Sequence, residues 1–167
     1  MWVGNCCYPP NDVLQALESL FGEPVRDIKV VQYSIYVRFH WRAIATTRRN
    51  CIYLRGSGKE FFADGPLVLH EYFHVLRQWA TGDLTITRYL AECFRRGYWD
   101  NRYEVEAREY TSSEIFRYRA LLAQHRTRDL PPGVRAIRAL KSAQRNRQPS
   151  NASRRYSRPA KYISRAP

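Results

Sequence analysis

Pro66-Leu67-Val68-Leu69-His70-Glu71-Tyr72-Phe73-His74-Val75-Leu76-Arg77-Gln78-Trp79 is the stretch on which the reading of this chain turns. Leu67, Leu69, Phe73 and Leu76, continued by Ala80, recur at helical spacing, with His70 and His74 at the edge of that stripe. Residues four apart on a helix lie one above the other on the same face. His70 and His74 therefore bring two imidazole nitrogens to one point, as a tetrahedral zinc ion requires. Glu71 is turned one helical step away, so its longer side chain reaches a water on the metal rather than the metal itself. Asp64 or Gly65 can cap the helix, Pro66 suits its first turn and Gly82 can end it. The competing reading is a pair of hydrogen-bonded core histidines, but two of only four histidines in the chain fall within this pentapeptide.

H-E-x-x-H on a helix is the pattern of zinc peptidases, with the glutamate as general base. Such a site needs a third protein ligand. The stretch Asp100-Asn101-Arg102-Tyr103-Glu104-Val105-Glu106-Ala107-Arg108 opens a later helix, capped by Asp100 or Asn101. Together, His70-Glu71-Tyr72-Phe73-His74 and Tyr103-Glu104-Val105-Glu106-Ala107 resemble the gluzincin metallopeptidases, whose third ligand is a glutamate on a later helix. The E-x-E-A form is similar to that of small bacterial gluzincin-like domains and of zinc peptidases that process prenylated proteins. The resemblance implies that Glu104 is the third ligand and that position 108 supports a ligand histidine. Glu106 is the reserve ligand. Arg108 departs from the family pattern, because an arginine only donates and cannot accept the outer N–H of an imidazole. Glu106 or another carboxylate then takes that task, or the surroundings of the ligands differ. Without the resemblance, Glu104 reads as a capping-box glutamate three residues after Asn101.

The rest of the chain predicts an α+β fold: a small mixed or antiparallel sheet beside the H-E-x-x-H helix, with further C-terminal helices. Asn11–Phe21 reads as a helix, with Asn11 as its cap and Gly22 and Pro24 stopping it. The stretch 27–41 alternates in the manner of a strand, with Ser34 as a break between two strands, and Cys51–Leu54 is a third. Gly56-Ser57-Gly58 turns the chain toward the motif helix. Thr85–Arg96 is a short helix with Leu84, Ile86, Tyr89, Leu90, Cys93 and Phe94 as its buried side. The glutamate helix runs to about Gln124 on a stripe of Tyr103, Ala107, Tyr110, Ile115, Tyr118 and Leu122. The resemblance implies a zincin-like fold in which an edge strand lines the cleft and pairs with an extended substrate; by that analogy 52–54 is the edge. Tyr98, Tyr103, Arg102, Tyr72 and His40 are equal candidates for stabilising an oxyanion. His40 and His125 read as exposed or structural.

Charge divides the chain. Of 28 basic and 15 acidic residues, 12 and one lie from Arg126 onward, leaving 16 and 14 before it. A nearly neutral domain, residues 1–125, is therefore expected ahead of a basic tail, 126–167. The hydrophobic content of 44% is enough for one core. Within the tail, 134–147 reads as a short basic helix, and from Gln148 onward Pro, Ser, Asn and Arg predict disorder. Such a tail suits contact with nucleic acid or an acidic protein, or serves as a spacer. No apolar run is long enough for a membrane span and the first residues lack a secretory pattern, so a cytoplasmic protein is expected. Export by a specialised secretion system is left open. Cys6, Cys7, Cys51 and Cys93 lack C-x-x-C spacing and suit a reducing compartment. Two functions follow as expectations. One is a zinc metallopeptidase acting on peptides or proteins, with metal ligands His70, His74 and Glu104 and general base Glu71. The alternative is a weak or inactive zinc-binding domain whose tail binds an anionic partner.

Overall fold

The computed structural model describes residues 4–38, 44–128, 131 and 133–137. The chain divides into two compact units, Met1–Asp129 and Leu130–Pro167. The second is described only at 131 and 133–137, the latter a helical turn of exposed residues. The expected disordered tail from Gln148 onward and His40 lie outside the described residues.

The first unit opens with strand β1 (Asn5–Cys7), helix α1 (Asn11–Phe21), strand β2 (Lys29–Gln32) and a short helix α2 (Ile35–Arg38). Strands β3 (Ala45–Arg48) and β4 (Cys51–Leu54) follow, then helices α3 (Gly58–Ala63), α4 (Gly65–Phe73), α5 (Ile86–Arg96) and α6 (Arg102–Arg128). The class is α+β, with a four-stranded mixed sheet in the order β1-β2-β4-β3. β2 and β4 are parallel, and the outer pairs β1·β2 and β3·β4 are antiparallel.

Strand β4 is thus an inner strand, not the edge expected from analogy. The edges are β1 and β3, and the sequence did not announce β3 because its Thr46-Thr47-Arg48 run carries no apolar alternation. Asn50, at φ 57°, closes the two-residue loop that sets Arg48 opposite Cys51. The strand expected over 27–41 is also shorter. Tyr33 takes a left-handed conformation (φ 54°) and turns the chain out of the sheet. Ser34 Oγ then accepts from the Tyr36 N–H at 3.2 Å, and the chain coils into α2, with Val37 buried. A period-two pattern over so few residues does not oppose one helical turn once the backbone has been bent.

α1 has the predicted bounds, although Pro10 rather than Asn11 stands at the cap position. Gly22, left-handed at φ 73°, ends it. Between β4 and α4 the chain makes a helix, not a plain turn. Ser57 Oγ accepts from the Glu60 N–H and the Glu60 carboxylate from the Ser57 N–H, a capping box that starts α3. Gly58 is required there for space: a Cβ would lie 2.4 Å from Cys7 Sγ. α1, the sheet, α3 and α4 share one core through Val13, Leu17, Val30, Ile52, Phe61, Val68, Leu69 and Tyr72. α6 packs against α1 and α4 and closes this core with Tyr118. α6 runs to Arg128, beyond the expected end, and His125 is buried with its Nε2 3.3 Å from Ser19 Oγ.

α5 departs most from its pattern. Leu84 is buried, but Ile86 (48%), Leu90 (59%) and Phe94 (94%) are exposed. Only one side of this helix, through Tyr89 and Cys93, meets the start of α6, where Asn101 Nδ2 donates to Tyr89 O and Cys93 Sγ. All four cysteines are unpaired. Among the described residues, no helix is long and apolar enough to cross a membrane.

Candidate metal centre

The motif helix begins where Asp64 caps it, its carboxylate accepting from the Leu67 N–H at 3.1 Å, with Pro66 in the first turn. It is α-helical to Phe73 and continues as wider, π-type helix over His74–Trp79. The Ala80 N–H reaches back five residues to Val75 O at 3.0 Å. Such π segments are rare and occur often at functional sites. The second contributor, α6, is started by Asn101, whose side chain accepts from the Tyr103 N–H at 3.0 Å. That cap sets Glu104 in the first turn, facing α4 rather than its own helix terminus.

The three expected ligands meet. His70 Nε2 and His74 Nε2 are 3.1 Å apart. Glu104 Oε2 is 3.2 Å from His70 Nε2, and Glu104 Oε1 is 3.7 Å from His74 Nε2. Two ligand nitrogens on tetrahedral zinc, each at ~2.05 Å, stand about 3.3 Å apart. One donor atom from each residue lies within 4.8 Å of the others, so the group can hold a metal ion.

Hydrogen bonding decides which way His74 is protonated. Gln78 Nε2 has two acceptors as neighbours, Tyr103 O at 3.1 Å and Glu106 Oε2 at 2.9 Å. Its amide oxygen must therefore face the other way, toward His74 Nδ1 at 2.6 Å. An acceptor there requires a proton on Nδ1, which leaves the Nε2 lone pair aimed at His70 and Glu104. Burial also holds the His74 pKa down at about 4, so the ring is neutral. The His74 lone pair, the His70 Nε2 and the Glu104 carboxylate thus converge on one point, an arrangement that suits a cation. The donor set therefore fits a metal on this structure's own geometry.

Gln78 does the task that the family pattern places at position 108, and the sequence reading missed it. The available signal was its place four residues after His74, on the same helical face. Glu106, the reserve ligand, is not part of the donor cluster; it orients Gln78 instead. Arg108 points away, donating to Trp99 O and stacking over the Trp99 ring at 5.5 Å.

Glu71 is 6% exposed and lines the same cavity as the ligands. Burial pushes its carboxyl up to about 7 against the pull of His70, with the Glu104 charge adding to the rise. Glu104 is itself buried, which raises its pKa, but His70, His74 and the Tyr89 hydroxyl outweigh that and hold it at about 2. For His70 the balance also runs against burial, because the Glu104 hydrogen bond and the Glu71 charge raise its pKa. The Tyr89 hydroxyl donates to Glu104 Oε1 at 2.8 Å, and burial followed by the Glu104 charge raises its own pKa. The sequence marked Tyr89 only as part of the apolar side of its helix, with no sign of this role.

The cavity has a volume of about 280 Å³, with β3, the motif helix, α5 and Glu104 on its walls. Of the expected oxyanion candidates among the described residues, only Tyr98 lines it. Tyr72 is in the core, the Tyr103 hydroxyl donates to Asp83 O, and Arg102 pairs with Asp83 outside the cavity. Comparison with protein-family models, with curated proteins and with solved structures finds no match to this chain. Its functional reading therefore rests on the geometry above.

Proposed function

We propose that this chain is a zinc-dependent hydrolase of peptide bonds, of gluzincin-like type on a zincin-like scaffold. The observation that carries the reading is the convergence of His70, His74 and Glu104, with the buried Glu71 in the same cavity. His70 and His74 from one helix and Glu104 from a later one would hold the ion. Zinc bound there supplies Lewis acidity, polarising a carbonyl oxygen and making a water acidic near neutral pH. The protein's own groups do the rest. Glu71 takes a proton from the attacking water and returns it to the leaving nitrogen. Gln78 keeps the His74 tautomer correct, and Tyr89 fixes the Glu104 carboxylate. Strand β3 pairs only with β4 among the described residues, so its outer edge suits an extended peptide laid along the cavity wall. A general base beside a site with three protein donors among the described residues would favour turnover over a purely structural site, which would close with four protein ligands.

The test is zinc content and hydrolysis of a mixed peptide library by the native chain and by Glu71→Gln. We expect equal zinc in both and hydrolysis only in the native chain. Zinc in both without hydrolysis in either would instead support the metal-binding domain with an anion-binding tail.

A further inference from the structure

Among the described residues, Arg48 is the one lysine or arginine on the wall of the candidate cavity. It stands on the edge strand β3, half-buried, with its guanidinium over the Tyr36 ring at 5.2 Å and the Trp79 ring at 5.9 Å. An Arg48 nitrogen also donates to the Tyr36 hydroxyl. Arg77, Arg102 and Arg126 each pair with a carboxylate, on Glu23, Asp83 and Asp12. Arg48 pairs with none among the described residues. A guanidinium set against two aromatic rings and anchored through one nitrogen keeps spare donors in its plane, the geometry that grips a carboxylate through two parallel hydrogen bonds. Its half-buried position strengthens such a bond relative to one in open solvent. Position is fixed too: Trp79 Nε1 donates to Thr47 Oγ1 at 3.1 Å, which ties β3 to the helical segment that carries His74.

We propose that Arg48 docks a carboxylate of the substrate, so that the cavity takes the carboxylate-bearing part of a peptide. A cavity of about 280 Å³ leaves room for little more than the residues next to the scissile bond. The inference rests on the hydrolase reading for what happens to the ligand, but not for its binding.

The experiment uses the full chain carrying Glu71→Gln and loaded with zinc, so that probes bind uncleaved. Calorimetry compares N-acetyl-Ala-Phe, its C-terminal amide, and N-acetyl-Ala-Glu amide. We expect a carboxylate-bearing probe to bind about tenfold tighter than the neutral amide, as a charge-assisted hydrogen bond to a partly buried group should. Arg48→Gln should abolish that difference, and Arg48→Lys should keep part of it with unchanged zinc content. Preference for N-acetyl-Ala-Phe assigns the docked group to a C-terminus, and preference for the Glu probe assigns it to an acidic side chain. Equal binding of all three probes, no binding of any, or a preference that survives Arg48→Gln overturns the proposal. If the preference holds but the native zinc-loaded chain cleaves no peptide, the hydrolase reading fails and the carboxylate subsite stands.

Discussion

Replacing Gln78 by Met tests the claim that a side-chain amide sets the metal-binding tautomer of His74. Methionine nearly matches glutamine in volume, so packing is kept while the acceptor is lost. The native amide accepts from His74 Nδ1 at 2.6 Å and donates to Tyr103 O and Glu106 at 3.1 and 2.9 Å. The substitution leaves the His74 Nδ1–H, in a ring side chain only 6% exposed, without its acceptor. An unsatisfied buried donor costs about 1–3 kcal/mol. The ring can avoid that cost by moving its proton to Nε2, but the lone pair then no longer faces the metal. Either way the penalty falls on metal binding, and outer partners of ligand histidines are typically worth ~10–100-fold in affinity. The two estimates agree, since tenfold corresponds to about 1.4 kcal/mol. Competition with a chromophoric chelator at fixed pH measures the zinc Kd directly. Glu106→Gln should lose less, because it keeps an acceptor for Gln78 while removing the charge. A Gln78→Met chain that binds zinc as tightly as the native one would refute the reasoning and return the supporting role to an unidentified group.

Two further outcomes follow from the same coordinates. Zinc should stabilise the fold, because the donors sit on α4 with its π extension and on α6, which do not meet in the unfolded chain. At zinc about 100-fold above Kd the gain is ~2.7 kcal/mol, seen as a rise in Tm that a chelator reverses; an unmoved Tm would contradict a preformed site. Gly58→Ala should destabilise by ~1–3 kcal/mol in chemical denaturation, because its Cβ would sit 2.4 Å from Cys7 Sγ. Adding Cys7→Ala should recover part of that loss, and an unchanged midpoint in the single variant would show that the strand and α3 part easily.

The sequence by itself determined the elements that obey local rules. The motif helix, with Pro66 in its first turn, was legible because capping and helical periodicity act within a few residues, and the structure chose Asp64 over Gly65 as its cap. The bounds of α1 were legible for the same reason, as was the apolar stripe of α6 from Tyr103 to Leu122. The spacing of His70 and His74 fixed their common face, and the family resemblance singled out Glu104. Tertiary structure alone decided what lies far apart along the chain. Strand order made β3 an edge and β4 an inner strand, because pairing partners are chosen by the whole sheet. The amphipathic pattern of α5 promised burial, yet Phe94 is 94% exposed, since a periodic stripe states what could be covered and not what is present to cover it. The roles of Gln78, Tyr89 and Arg48 depend on distances across α6, α5 and β3, and hydrogen-bond direction between such neighbours has no signature in residue order.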